Sequence, residues 1–438
     1  MLKKLFKMGC LVLIIIGVVY GIKLTIKRQV PDISKKEVEQ KVFSMIQTKT
    51  ATITSFYTYG RAFNLKGEIK GVSKDNFESV KLLITDGIEY EKEYELNYEL
   101  NDSVLTFVST NEINSGLIID ELTGEEYYIL LRLKLNNSID PRFYSFSNNS
   151  DLKNIDYYTV TKDGKNKKAE IGFVKRTVDD KDYNLLKVSL TETSLPEDVY
   201  DIAIDAGHGG TDDGEKINGV TEADVTLEYA KLLKSKLEEK GYKVFLTRDD
   251  DNTGYYNYTN MYDEAGRITT ACKSKAKLML SLHINQGNSS LKGLEIYSPC
   301  NSNLEFAKEM ANKINEASSI ELSNSTSFKV FDGVYVRNFT KAEIKAFAKT
   351  AEDKGYEPYP ITTDTPYLYT IREVGGLATN AYVDGRNTSY SANKYYNSNQ
   401  GLECYQIELG YIKNDLSIIT NEKESYINAI TEAICNNY

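Results

Sequence analysis

The rhythm of apolar and polar positions changes several times along this 438-residue chain, and each change marks a different kind of element. Residues 8–26, "MGCLVLIIIGVVYGIKLTI", are almost continuously apolar. A membrane span takes ~20 residues, so this run predicts a transmembrane helix with Lys23 reaching toward the interface. Residues 34–47 space Val38, Val42, Phe43 and Ile46 at helical intervals, which predicts a stalk helix. From Ser55 to about Leu195 the pattern shortens to β-branched and aromatic runs such as "SVKLLITDG", "SVLTFVST" and "EYYILLRLKL". Their spacing predicts an antiparallel β-sandwich that spaces or docks the rest of the chain. Beyond Pro196 strands and helices alternate: "YDIAID", "YKVFLTR", "KLMLSLHIN", "GLEIYS" and "LECYQIELGYI" read as strands. Between them "EADVTLEYAKLLKSKLEEKG", "DEAGRITTACKSKA" and "SNLEFAKEMANKINEA" read as helices, and "NEKESYINAITEAICN" closes the chain as another. That order predicts an α/β domain, a mostly parallel sheet with helices on both faces. The expected division is a membrane anchor at 1–29, a stalk helix at 30–50, a β-sandwich-like domain at 51–196 and the α/β domain at 197–438.

Charge and cysteine content narrow the partners. The formal net charge is -10 and the sequence pI about 5.1, so nucleic acid is excluded as a partner. Lysines flank both ends of the apolar run, so charge alone does not orient it. No A-x-A-like site follows, which predicts an uncleaved signal anchor. Cys10, Cys272, Cys300, Cys404 and Cys435 contain no close C-x-x-C pair, which argues against a cysteine zinc knot and against a disulfide scaffold.

The chain has only two histidines, and both fall at predicted strand ends. His208 follows "YDIAIDAG" and His283 ends "KLMLSLH"; in a parallel sheet both imidazoles stand at the carboxyl edge, where such folds do their chemistry. A lone histidine is ordinarily a packed or surface residue, but the joint placement points to a metal site. A catalytic zinc takes three protein ligands and leaves a position for water. Glu222 and Glu215 are both candidates for the third, and Glu222 also suits a helix's first turn on dipole grounds alone. The glycine turn "GHGGTDDG" is not a phosphate loop. Asp212 stands where the dinucleotide fingerprint needs glycine, neighbouring aspartates repel an anion, and no Lys-Ser or Lys-Thr follows. Glu408, within the apolar "YQIELGYI", is a costly charge to bury without a task, and it is the candidate proton shuttle.

"DAGHGGTDDGE", "TEADVTLEYAKLL", "VFLTR", "LMLSLHIN" and "IELGYIKND", in this order, resemble the zinc-dependent N-acetylmuramoyl-L-alanine amidases of the type-3 amidase family, over roughly residues 200–438. The resemblance implies that His208, Glu222 and His283 hold zinc and that Glu408 is catalytic, which decides between Glu222 and Glu215. It further implies a peptidoglycan hydrolase that uses zinc-activated water to cut the amide between the lactyl group of N-acetylmuramic acid and L-alanine. The expected setting is the cell membrane, single-pass, with the catalytic domain on the extracytoplasmic side where that polymer lies. Another zinc hydrolase acting on stem peptides and a catalytically silent wall-binding protein remain as alternatives. The interval between His283 and Glu408 is longer than the family's compact core requires. It contains "TKAEIKAFAKTAEDKG" and an Asn-, Tyr- and Ser-rich stretch around Arg386 that reads as a lid, a sugar- or peptide-contacting loop, or a plain surface loop.

Overall fold

A computed structural model describes residues 42, 44–73, 77–88, 90–109, 117–148, 155–160, 165–178, 181–251, 265–299, 302–355, 361–375 and 400–438. The expected anchor, most of the stalk helix and nearly all of the stretch around Arg386 lie outside them.

Two seven-stranded sheets account for most of the amino-terminal region. One is built on Ala51–Tyr59 and Ala62–Lys70, the other on Phe77–Thr85, Glu126–Leu135 and the long pair Asn166–Val178 and Lys181–Glu192. Ile53, Phe63 and Leu65 of the first share one core with Leu82, Ile84, Ile129 and Val188 of the second. The period of two explains why Leu83 and Leu130, one position along, leave that core and pack on the outer face with Val42 and Leu185.

The carboxy-terminal region contains a third seven-stranded sheet. Its strands are β1 (Ile202–Ala206), β4 (Val244–Leu246), β5 (Leu278–Asn285), β6 (Glu295–Tyr297), β7 (Lys329–Phe331), β8 (Val334–Tyr335) and β9 (Glu403–Tyr411). A separate hairpin pairs β2 (Lys216–Ile217) with β3 (Val220–Thr221). The order across the large sheet is β4-β1-β5-β9-β6-β8-β7. Alternate residues feed opposite faces. Ile202, Ile204, Leu280 and Leu282 face α1 (Glu222–Glu239), α3 (Leu304–Ala317), α6 (Ile412–Asn421) and α7 (Lys423–Asn437). Ala203 and Met279 face α2 (Arg267–Lys273) and α5 (Tyr369–Val374). A further helix, α4 (Lys341–Lys354), is "TKAEIKAFAKTAEDKG", opened by a capping box between Thr340 and Glu343.

The expected fold class is corrected in two respects. The described residues are strand-rich, and the third sheet is mixed: β4, β1, β5 and β9 run parallel, but β6 runs antiparallel to β9. The physical reason is connection length, because 286–294 is shorter than the dozen or more residues a parallel crossover needs. The expected transmembrane helix is not part of the described fold: residues 1–29 lie outside the described ones, and among the described residues no helix is long and apolar enough to cross a membrane.

The two regions are joined by main chain as well as side chains. Gln400 and Gly401 pair in parallel with Thr58 and Tyr59, and the Arg61 guanidinium donates to the carbonyl of Asn437. These contacts gather at the edge where β1 and β5 begin.

Candidate metal centre

At the carboxyl end of β1 the chain turns abruptly. His208 has φ 61, in the left-handed region that a non-glycine residue seldom occupies. Gly207 is required beside it, since a Cβ there would lie 2.5 Å from Cε1 of His283 and 2.6 Å from the carbonyl of Leu282. Two buried arginines hold the turn from beneath. Arg248 donates to the carbonyls of Ala206 at 2.9 Å and Gly207 at 3.1 Å, and Arg267 to that of His208 at 2.6 Å. Arg267 is itself paired with Asp205 at 2.8 Å, and Asp205 also accepts from Thr247 and Ser281.

The small hairpin returns Glu222 to the histidine. Asn218 and Gly219, with φ 52 and 82, form its two-residue turn, the positive-φ pair that suits the twist of short antiparallel strands. Thr221 then caps α1 by accepting from the Asp224 amide at 3.1 Å, which starts the helix at Glu222. Ligand atoms of His208, Glu222 and His283 lie within 4.8 Å of one another. Oε1 of Glu222 stands 3.2 Å from Nε2 of His208, 3.1 Å from Nδ1 of His283 and 2.8 Å from the Ile284 amide. The other carboxylate oxygen accepts from the Glu215 amide at 3.1 Å, so Glu215 touches the site through its backbone and stands outside the ligand set. Asp212 accepts from Nδ1 of His208 at 2.9 Å, and that contact leaves Nε2 directed at the cluster.

The electrostatics follow from this packing. Burial pushes the Glu222 carboxyl up, but hydrogen bonds and charge from the two imidazoles outweigh it and hold it well below the usual carboxylate range. Burial pulls the His208 imidazole down, but Glu222 and Asp212 outweigh that and raise it to about 9. Nε2 of His283 is buried with no hydrogen-bond partner among the described residues, an atom whose desolvation they leave uncompensated. Two imidazoles, one carboxylate and that orphaned nitrogen suit a divalent metal of the zinc type.

Glu408 is the Cα partner of His283 on β9 and of Glu295 on the opposite side. Burial pushes its carboxyl up to about 7; His283 acts against that and Glu222 with it. Gln406 donates to its Oε1 at 2.8 Å and is steadied in turn by Thr370 of α5. Sequence reasoning passed over Arg248, Arg267, Asp212, Gln406 and Glu295. Arg267 carried a usable signal, being a charge on the apolar face of a short helix, as did Glu295 at the start of a strand; Gln406 carried none.

Residues 202–351 match the family profile described as N-acetylmuramoyl-L-alanine amidase. The germination-specific N-acetylmuramoyl-L-alanine amidase of Bacillus subtilis is 36% identical over 98 residues, 21% of this chain and 41% of that protein. Protein YqiI of the same organism is 32% identical over 123 residues, 28% of this chain and 56% of that protein. The chain thus spans about half the length of these curated relatives. Among solved structures, the amidase AmiC2 of Nostoc punctiforme is 19% identical with a TM-score of 0.34, covering 54% of this chain and 94% of that one. Residues 202–351 thus carry a type-3 amidase domain by their match to the N-acetylmuramoyl-L-alanine amidase family.

Proposed function

We propose that this protein is a zinc-dependent peptidoglycan hydrolase that cleaves the amide joining the lactyl group of N-acetylmuramic acid to L-alanine, working on the extracytoplasmic side. The observation that carries the reading is the convergence of His208, Glu222 and His283 within 4.8 Å, with Glu408 beside His283. The names of the curated relatives support the choice of amide.

His208, Glu222 and His283 would hold the metal. Zinc bound there supplies Lewis acidity, which polarises a carbonyl and acidifies a water. Arg267 and Arg248 keep the His208 turn in its strained form, so the imidazole is in place before substrate arrives. Glu408, poised to about 7, takes the proton from the attacking water and returns it to the departing alanine nitrogen. With Oε1 engaged by Gln406, Oε2 is the oxygen that carries the proton.

The test is digestion of purified peptidoglycan by the full chain, with a chelator control and identification of products. New L-alanine amino termini on intact glycan support the reading; cleavage within the stem, or wall binding without product in the presence of zinc, overturns it.

A further inference from the structure

The opposite edge of the same sheet holds a cavity of about 470 Å³ between the amidase domain and the amino-terminal sheets. Its volume falls within the range of small-molecule sites, ~300–1,000 Å³. Its walls come from both regions: Arg61, Asp120 and Glu121 from one, Asp201, Lys277 and Tyr438 from the other. Because Ile202 and Lys277 stand where β1 and β5 begin, the cavity lies at the far end of the strands from His208 and His283.

Most of the charges around it are already matched. Asp120 accepts from Arg61 at 2.7 Å and from Thr159; Glu121 pairs with Lys92; Asp201 accepts from the Lys243 amide at 2.7 Å. Lys277 is different. It is only 7% exposed, and its Nζ is buried with no hydrogen-bond partner, facing the Tyr157 ring at 5.2 Å. Burial pushes the Lys277 amine below the ordinary lysine value while Asp120 and Asp201 pull it the other way, and among the described residues no acid bonds to it, so an anion brought to it would favour its charged form. A second conclusion follows from the charges at the walls. Arg61, Lys240 and Lys277 line the cavity together with Asp120, Glu121 and Asp201, and a wall of both signs suits a carboxylate carried on a molecule that also bears an ammonium better than a dianion such as phosphate.

We propose that this cavity binds a small zwitterion, a free α-amino acid or a short peptide. Its carboxylate accepts from Nζ of Lys277, and its ammonium faces the carboxylates of Asp201 and Glu121. Such a ligand touches both regions at once and stabilises their junction.

The experiment is calorimetric titration of the full chain with L-alanyl-L-alanine, L-alanine, N-acetyl-L-alanyl-L-alanine and inorganic phosphate. Expected are saturable binding of the dipeptide or the free amino acid, and a loss of at least about tenfold on N-acetylation. Which of those two binds separates a peptide site from an amino-acid site. Lys277→Met, which keeps an unbranched stem as far as Cε, and Asp201→Asn, which keeps an acceptor for the Lys243 amide, should each lose about tenfold as well. If Lys277→Met fails to fold, Asp201→Asn decides. Absence of saturable binding, phosphate binding as tightly as the dipeptide, or unchanged affinity in a folded Lys277→Met or in Asp201→Asn overturns the proposal.

Discussion

The fully buried guanidinium of Arg267 donates to the backbone carbonyl of His208 at 2.6 Å, so the residue that bends the chain into the left-handed region is held by a side chain 59 positions away. The same guanidinium neutralises Asp205, which is also wholly buried. One arginine thus fixes the histidine's backbone and supports the strand that delivers it. Strain at His208 persists because these contacts over-determine it.

Arg267→Met should be strongly destabilising. It leaves Asp205 buried without its cation, and breaking a buried pair from one side costs about 3–5 kcal/mol. Urea unfolding would measure the loss, and adding Asp205→Asn to Arg267→Met should recover part of it. Full additivity of the two substitutions would show that the pair does not interact.

Acid should weaken the fold through the same pair. Burial pushes the Asp205 carboxyl up, but Arg267 and the hydrogen bonds from Thr247 and Ser281 outweigh it and leave it below the ordinary value. For a depressed carboxylate the stabilisation is complete above the unfolded value of ~3.9 and disappears as pH falls through the folded value. The stability gap between the wild type and the Arg267→Met, Asp205→Asn double variant should therefore be constant from neutrality to about pH 4 and shrink below it. Denaturant midpoints for both proteins across that range check the sign.

Much of the site was legible because its chemistry is tied to strand ends. "YDIAID" and "KLMLSLH" are apolar runs whose termini are plain, so two histidines at those termini point to one edge. Glu222 against Glu215 was not decidable from spacing, because the deciding feature is three-dimensional: the Asn218–Gly219 turn folds 214–222 back on itself and brings the helix opening to the imidazoles. The arginine clamps were missed for a related reason. Arg248 and Arg267 act on carbonyls of residues 206–208, and a pattern of side chains carries no information about backbone acceptors. The sheet was expected to be mostly parallel because alternating elements imply crossovers, yet the short 286–294 connection was countable in advance and already forbids one between β5 and β6. The transmembrane expectation rests on the apolar run at 8–26 together with its flanking lysines and the missing cleavage site; that run lies outside the described residues, among which no helix is long and apolar enough to cross a membrane.

Metal retention and turnover should separate the proposed ligands from the proposed proton carrier. His208→Ala and His283→Ala are expected to lose stoichiometric zinc, while Glu408→Gln keeps the zinc and loses turnover by about 10²–10⁴-fold. Elemental analysis of the purified variants, alongside release of L-alanine amino termini from peptidoglycan, reads both quantities. Near-wild-type turnover in Glu408→Gln would remove that residue from the mechanism.

Glu295 offers a sharper probe of how the His283 and Glu408 edge of the sheet is ordered. Its two oxygens collect four donors: Asn285 at 2.7 Å and Tyr297 at 2.8 Å on one, Ser323 at 2.6 Å and Tyr411 at 2.7 Å on the other. A glutamine of the same shape keeps one acceptor oxygen and turns an amide toward the remaining donors. Glu295→Gln should therefore cost about 1–3 kcal/mol, the cost of leaving buried polar groups unsatisfied. Asn285 and Tyr411 belong to the strands that carry His283 and Glu408, so turnover should fall with stability while zinc content stays stoichiometric. Loss of zinc in a folded Glu295→Gln would show instead that this network reaches the metal ligands themselves.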